Sequence, residues 1–150
     1  MRILDRKKIP YRANYYHCEG FIDAIQIADM LQQSYDQTFK TLVSVGKTGK
    51  YYVFVIPIHK ELDLKAAARS VREKSIEMLH VKDLKEITGY IRGGCTAIGM
   101  KKEYPTVIDS SFSAFDEIIV SGGALGVQIF IAPSDFIRAT NAKTENITVQ

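Results

Sequence analysis

Alternation of apolar and polar residues along the chain predicts several short strands. Residues 39–45 alternate between two faces, which is typical of a strand, and Lys40 lies near its start. Residues 51–58 are an almost continuous apolar run, as expected for a strand covered on both faces. The turn composition between these two segments indicates a hairpin. Further strands are predicted over residues 10–17, 106–109, 117–120 and 126–131.

Intervals of three and four between apolar residues predict helices among the strands. Residues 20–34 repeat in this way and indicate an amphipathic helix. Asp63 is placed to cap a helix over residues 64–71, because its carboxylate can accept from the free amides of the first turn. A last helix is predicted from residue 133 to about residue 140. The polar tail over residues 141–150 is expected to be frayed.

A shorter helix and two glycine-rich segments complete the pattern. Asp83 is predicted to open the helix, with Glu86 completing a capping box and Gly89 as a left-handed stop. Residues 89–99 and 121–123 are rich in glycine, which indicates places where the backbone closely approaches another group of atoms.

Strands outnumber helices and cluster as hairpins. This order predicts an α/β chain of the α+β type, with a mixed, largely antiparallel sheet curled toward a barrel and helices packed outside. The glycine-rich segments would then rim the mouth. At this length, and with no linker or internal repeat, residues 1–150 are expected to form a single domain.

Composition and charge narrow the function classes. Apolar residues make up 46% of the 150 residues and charged residues 25%, which is ordinary for a globular domain. No apolar run approaches the ~20 residues of a membrane-spanning helix, and the first eight residues are too charged for a secretory signal. We therefore expect a cytoplasmic protein without a membrane partner. The net charge of +3 allows contact with phosphate backbones but is too small for a strong nucleic-acid binder.

The residue types of common catalytic and metal sites are scarce. The two cysteines, Cys18 and Cys95, form no C-x-x-C pair and have three histidines to share a metal with, which argues against structural zinc. His17 is adjacent to Cys18 on a predicted strand, where neighbouring side chains point to opposite faces and do not act together. The sequence also lacks the glycine motifs of nucleotide and dinucleotide sites. We expect no cofactor and no metal.

A lysine and two pairs of glycines remain as candidate chemistry. Lys40 lies at the head of a strand, Gly93-Gly94 follows Tyr90, and Ser121-Gly122-Gly123 joins two predicted strands. Lysines on strands are commonly solvated edge charges, and paired glycines commonly form turns. Alternatively, the ammonium attracts a phosphate or carbonyl oxygen while bare backbone amides hold an acyl oxygen. Spacing alone does not separate these two interpretations.

Several short motifs carry a family resemblance. They are Phe39-Lys40-Thr41-Leu42, Val55-Ile56-Pro57 followed by Glu61-Leu62-Asp63-Leu64-Lys65, Thr88-Gly89-Tyr90-Ile91-Arg92-Gly93-Gly94 with Gly99-Met100-Lys101-Lys102, and Ile119-Val120-Ser121-Gly122-Gly123 before Ile131-Ala132-Pro133. In order and spacing over residues 10–138, they resemble the YbaK/EbsC family of aminoacyl-tRNA editing proteins. The resemblance implies the fold of that editing domain and favours the functional interpretation of Lys40.

The resemblance implies a free-standing deacylase, similar to the editing insertion of bacterial prolyl-tRNA synthetase, that removes cysteine from tRNA(Pro). Cysteine and proline are close in volume, and an apolar pocket separates such near-isosteres by only ~1–3 kcal/mol, so a second, hydrolytic sieve supplies the rest. The chemistry proposed for this family is substrate-assisted. The thiol of the bound cysteine attacks its own ester carbonyl, the terminal ribose hydroxyl leaves, and no protein nucleophile is needed.

The resemblance also implies which residues form the site. The functional lysine corresponds to Lys40, the pocket tyrosine to Tyr16, and a polar pocket residue after the glycine hairpin to Gln128, where some relatives carry aspartate. Tyr15 precedes Tyr16, so a shift of one residue would exchange which of the two faces the pocket. The remaining candidates are the catalytic backbone amides of Gly93 and Gly94, the substrate-binding Tyr90, Ser121 and Gly122, and the tRNA-binding Arg92, Lys101 and Lys102.

Substrate and partners stay open at this stage. The expected partner is the acceptor end of a mischarged tRNA, bound weakly and in a salt-sensitive way, and prolyl-tRNA synthetase is a further candidate. Related editing domains accept alanine or serine, and pocket size decides among these amino acids. A non-catalytic tRNA- or synthetase-binding module is the alternative from another class, and retention of Lys40 and Gly93-Gly94 argues against it.

Overall fold

The computed structural model describes residues 2–17, 23–90, 95–98, 100 and 104–149. Helices and strands alternate along this part of the chain. In chain order they are α1 (Arg2–Arg6), β1 (Arg12–Tyr15), α2 (Ala24–Met30), β2 (Phe39–Gly46), β3 (Tyr51–Pro57), α3 (Leu64–Ser70), β4 (Ile76–Met78), α4 (Val81–Thr88), β5 (Thr106–Asp109), a 3-10 helix (Ser110–Ala114), β6 (Ile118–Ser121), β7 (Val127–Ile131), α5 (Pro133–Thr140) and β8 (Lys143–Glu145).

The strands form two sheets. One has five strands in the order β4-β2-β3-β5-β8, and the other has three in the order β1-β7-β6. The β2–β3, β2–β4, β1–β7 and β6–β7 pairs are antiparallel, whereas β3–β5 and β5–β8 are parallel. The predicted mixed, largely antiparallel fold is therefore confirmed. The two sheets meet at a parallel bridge between Thr38 and Ile119.

Strand β3 is buried on both faces, as its continuous apolar run predicts. Val53 and Val55 belong to a core cluster that also contains residues of β6 and β7, so this cluster lies between the two sheets. Phe54 and Ile56 belong to a second cluster with Ala67 of α3. Each face of β3 thus packs against a different layer, which fixes the sheet between α3 and the three-stranded sheet.

The observed helix ends confirm two of the predicted caps and correct one. Asp63 accepts hydrogen bonds from the backbone amides of Lys65 and Ala66, which confirms it as the cap of α3. Gly89 has a φ of 82° and ends α4 in the left-handed conformation, also as predicted. The prediction that Asp83 opens α4 is wrong. The helix begins at Val81, and the amide of Asp83 already donates to the carbonyl of His80 within the first turn.

The predicted helix over residues 20–34 is shorter in the described part of the chain. It starts after Asp23, whose side chain accepts from the Gln26 amide in a capping box. It ends at Met30, because Gln32 takes a φ of 54° and turns the chain away from the helix axis. The amide of Gln33 then bonds the carbonyl of Ala28. The apolar spacing continues beyond this point, but the backbone leaves the helix.

The prediction of a frayed tail is wrong. Strand β8 pairs in parallel with β5, and Thr148 forms a bridge to Leu62. Ile147 is fully buried, and its amide donates to the Asp109 carboxylate at 3.1 Å. All three residues of β8 are exposed, so this strand has no apolar alternation to mark it in the sequence. Its position is set by distant partners on β5.

Replacing Ile147 with alanine is expected to lower the free energy of unfolding by about 2–4 kcal/mol, because a fully buried side chain leaves a cavity. Urea unfolding followed by circular dichroism measures the effect. Val149→Ala is the matched control, since this residue is 46% exposed in the same segment. Equal stabilities for the two variants would contradict the docking of the tail.

Candidate functional site

A cavity of about 400 Å³ lies where the two sheets approach each other. Its wall is mainly apolar, with polar side chains at several positions. The polar and charged residues are Tyr16, Asp23, Thr38, Lys40, Thr41, Ser121 and Gln128. The apolar residues are Ala24, Ile25, Ile27, Phe39, Leu42, Ile58, Cys95, Ile119, Val120 and Val127.

Contact between the sheets brings Lys40 and Ser121 together. The parallel bridge joins Thr38 to Ile119, and the Ile119 amide donates to the carbonyl of Gln37 at 3.0 Å. Lys40 lies two residues after Thr38, and Ser121 lies two residues after Ile119. Both side chains therefore point to the same side of the junction. Both line the cavity. Residues 81 positions apart in sequence thus line one cavity through a strand pairing that no local pattern indicates.

A row of polar side chains crosses the three-stranded sheet beside them. Ser121 is opposite Gln128 in the β6–β7 pair, and Gln128 is opposite Asn14 in the β1–β7 pair. Tyr16 follows Asn14 by two residues, so its side chain points to the same face and lines the cavity. Tyr15 points to the other face and is 75% exposed. Of the two tyrosines, Tyr16 is therefore the one that lines the cavity.

Lys40 is a half-buried cation on the cavity wall. Burial lowers the pKa of its ammonium from the ordinary 10.5, and the charge of Glu61 partly offsets this effect. The ammonium makes no hydrogen bond or ion pair with the residues that the structure describes. A partly desolvated ammonium attracts an oxygen ligand more strongly than one in bulk water. Lys40 is thus available to an anionic or carbonyl oxygen inside the cavity.

Cys95 also lines the cavity, which the sequence did not indicate. The side chain is buried, as predicted, and its burial raises the pKa of the thiol to about 12, with a hydrogen bond to Thr88 acting in the opposite direction. The thiol is therefore protonated at neutral pH and is a poor nucleophile. Cys95 shapes the apolar wall, and the cavity gains no thiolate from it.

Glycines and Tyr90 support the hairpin between β6 and β7. A side chain at Gly122 would lie 2.5 Å from Cγ1 of Val127, so this close approach requires glycine. Gly123 has a φ of 100° and packs against the ring of Tyr90, whose hydroxyl donates to the carbonyl of Ile98 at 3.0 Å. Tyr90 and Gly122 thus lie beside the described wall rather than on it. Their contact with a substrate stays a prediction.

Gln128 is nearly fully buried and its amide is engaged within the protein. Its side chain exchanges two hydrogen bonds with that of Gln33, at 2.8 and 2.9 Å. Asn14 donates a further hydrogen bond to the same oxygen at 3.3 Å. The helical spacing places Gln33 on a polar surface, so no sequence pattern indicates this contact. It arises because the chain turns sharply after α2.

Comparison with known proteins identifies the family. Residues 19–139 match the aminoacyl-tRNA editing domain. EbsC of Enterococcus faecalis, provisionally named a Cys-tRNA(Pro)/Cys-tRNA(Cys) deacylase, is 42% identical to this chain over 151 residues, which cover 100% of this chain and 92% of EbsC. The chain belongs to the aminoacyl-tRNA editing domain family. This confirms the resemblance carried by the motifs around Lys40 and the glycine hairpin.

Solved structures share the fold of this editing domain. A crystal structure described provisionally as a trans-editing enzyme for prolyl-tRNA synthetase has a TM-score of 0.82 at 22% identity, over 93% of this chain and 87% of that one. The crystal structure of hypothetical protein APE2540 has a TM-score of 0.90 at 19% identity, over 99% of this chain and 97% of that one. At these identities the likeness concerns the fold alone.

Several predicted site residues of the editing domain lie outside the described residues. They are the catalytic glycines Gly93 and Gly94 and the tRNA-binding Arg92, Lys101 and Lys102. Cys18 also lies there. Over the ranges that are described, no group of three or more His, Cys, Asp or Glu side chains is placed to hold a metal ion. No helix in those ranges is long and apolar enough to cross a membrane.

A larger groove of about 640 Å³ lies at the other end of β3, beside Tyr51 and Tyr104. None of the predicted site residues lines it. One of its two lysines, Lys143, donates to the carbonyl of Ser70 at 2.6 Å and is thereby engaged within the protein. The smaller cavity around Lys40 combines the polar row with a cation that has no hydrogen bond or ion pair in the described ranges, so it is the candidate functional site.

Proposed function

We propose that this protein is a trans-acting deacylase that hydrolyses Cys-tRNA(Pro). The observation that carries the proposal is the half-buried ammonium of Lys40, which has no hydrogen bond or ion pair among the described residues, in a cavity whose described wall offers no histidine and no thiolate. Membership of the editing-domain family and the name of the 42% identical EbsC support the same substrate class. In the proposed reaction, Lys40 is the cation that binds the substrate, and the nucleophile is a group of the substrate itself.

The proposed mechanism uses the thiol of the esterified cysteine. Its sulfur forms a bond to the ester carbonyl carbon, the bond from that carbon to the terminal ribose oxygen breaks, and the thiol proton ends on the departing ribose hydroxyl. Water then opens the cyclic thioester to free cysteine. Such an intramolecular attack depends on holding the two atoms in contact, which confinement in the cavity favours. Lys40 polarises the carbonyl or binds the adjacent phosphate.

The tRNA contributes through its charged acceptor end. Arg92, Lys101 and Lys102 are proposed to follow the phosphate backbone, and the small net charge of +3 predicts weak, salt-sensitive binding. Weak binding fits an enzyme that acts in the cytoplasm beside prolyl-tRNA synthetase, where the mischarged tRNA is produced. We propose this synthetase as a partner.

A single assay tests the proposed activity. The protein is incubated with tRNA(Pro) charged with cysteine, alanine or serine, and the released amino acid is counted. Preferential release of cysteine is expected. Preferential release of alanine or serine would change the substrate but keep the enzyme class. If none of the three amino acids is released while the protein still binds the tRNA, the protein is a binding module and not a deacylase.

Binding of a substrate analogue is expected to depend on pH through Lys40. Burial lowers the pKa of this ammonium below 10.5, so the cation and its contribution to affinity are lost as the pH rises through that lowered value. An amide-linked cysteinyl-adenosine resists hydrolysis and serves as the probe in calorimetric titrations. Lys40→Arg keeps its charge at these pH values and removes this alkaline loss. The same loss in both proteins would contradict the assignment.

A further inference from the structure

The two glutamines beside the cavity form a closed amide pair. Gln33 Nε2 donates to Gln128 Oε1 at 2.8 Å, and Gln128 Nε2 donates back to Gln33 Oε1 at 2.9 Å. Asn14 Nδ2 adds a third hydrogen bond to Gln128 Oε1 at 3.3 Å. Gln128 is only 5% exposed. The pair therefore ties β7 to the turn after α2 and to β1, with Gln128 buried and Gln33 and Asn14 half-buried.

Hydrogen-bond capacity limits what Gln128 offers to a substrate. A side-chain amide oxygen has two lone pairs, and both are used by Gln33 and Asn14. The ammonium of an aminoacyl ester is a donor and needs such a lone pair. Binding it at Gln128 would require breaking one of these hydrogen bonds to the buried Gln128 side chain. The pair is thus better suited to form a wall than to bind the amino group.

Two cavities lie on opposite sides of this pair. Gln128 lines the cavity around Lys40, of about 400 Å³. Gln33 and Asn14 line a second cavity of about 440 Å³, which has a polar wall. Ile119 lines both cavities. The amide pair and Ile119 therefore form the partition between the two spaces.

We propose that the Gln33–Gln128 pair is the end wall of the aminoacyl cavity and sets the length of the amino-acid side chain that the cavity accepts. The proposal rests on the proposed deacylase function and names Gln33 as a specificity-determining residue of that site. Three hydrogen bonds hold the buried Gln128 amide in this wall, so a longer side chain displaces it only by breaking them. Removing the Gln33 side chain would join the cavities and lengthen the site.

The test compares affinities for two amide-linked aminoacyl-adenosines, one carrying cysteine and one carrying methionine. In Gln33→Ala, the ratio of methionyl to cysteinyl affinity is expected to rise at least tenfold over the wild-type ratio. Near-ultraviolet circular dichroism confirms that the variant is folded. If Gln33→Ala does not fold, Gln33→Asn is used, because one methylene less withdraws the amide from Gln128 and is expected to raise the ratio in the same direction.

Two control variants separate the wall from other effects. Gln33→Met refills the volume but loses both hydrogen bonds to Gln128, and it is expected to raise the ratio less than Gln33→Ala does. Ser34→Ala changes the lining of the second cavity without altering the pair and is expected to leave the ratio unchanged.

An unchanged ratio in folded Gln33→Ala or Gln33→Asn, or an equal rise in Ser34→Ala, would overturn the proposed wall. If wild type deacylates Cys-tRNA(Pro), either result leaves the deacylase function standing. A wild-type protein that binds neither analogue and deacylates no tRNA would overturn the proposed function together with the wall.

Discussion

Lys40→Ala is expected to slow the deacylation of Cys-tRNA(Pro) at least 100-fold, about 2.7 kcal/mol of barrier. Lys40 is a half-buried cation facing the cavity, and the described residues give it no hydrogen bond or ion pair of its own. A preorganised group of this kind stabilises charge that develops on the carbonyl oxygen, and loss of one such group commonly costs ~10²–10³ in rate. Single-turnover hydrolysis of the charged tRNA measures the effect.

Two further lysine variants make this test specific. Lys40→Arg keeps the positive charge on a larger head group and is expected to retain more activity than the alanine variant. Lys60→Ala removes an exposed lysine that does not line the cavity and is expected to leave the rate unchanged. A Lys40→Ala rate within about threefold of wild type, under ~1 kcal/mol, would remove Lys40 from the mechanism.

Alanyl-tRNA(Pro) is expected to be deacylated at least 100-fold more slowly than Cys-tRNA(Pro). The two substrates differ by the sulfur that acts as the internal nucleophile, and intramolecular attack draws its advantage from a correctly placed reacting atom. The described wall offers no thiolate in its place, because the pKa of Cys95 is raised to about 12 and its thiol stays protonated. The loss is expected mainly in kcat, since both amino acids fit the cavity.

Seryl-tRNA(Pro) is the matched control for the thiol. Its hydroxyl is close to the thiol in position but is a much weaker nucleophile at neutral pH, so slow hydrolysis is expected here too. Equal rates for cysteinyl and alanyl esters would exclude the substrate-assisted mechanism and indicate a water nucleophile. The deacylase activity itself would stand in that case.

Local patterns determined most of the elements and the position of the lysine. Alternation over residues 39–45 placed Lys40 at the start of β2, and the apolar run of β3 indicated burial on both faces. The cap at Asp63 and the left-handed end at Gly89 follow from groups adjacent in sequence. These features rest on hydrogen bonds and side-chain periods within one element, so the sequence alone carries them.

Other predictions were wrong or stayed open because distant parts of the chain decide the features concerned. Strand β8 has three exposed residues, and only its pairing with β5 makes it a strand. The choice between Tyr15 and Tyr16 depended on the register of β1 against β7, where a shift of one residue reverses the faces.

The sequence by itself determined the fold class, the family and the candidate lysine. Motif order, side-chain period and residue type are properties of the sequence, and none of them depends on which distant segment packs nearby. Only the tertiary structure decided that Lys40 and Ser121 line one cavity at the junction of the two sheets and that Gln33 pairs with Gln128. The physical reason is that cavity walls are built from long-range strand pairing and chain turns, whose partners no local pattern specifies.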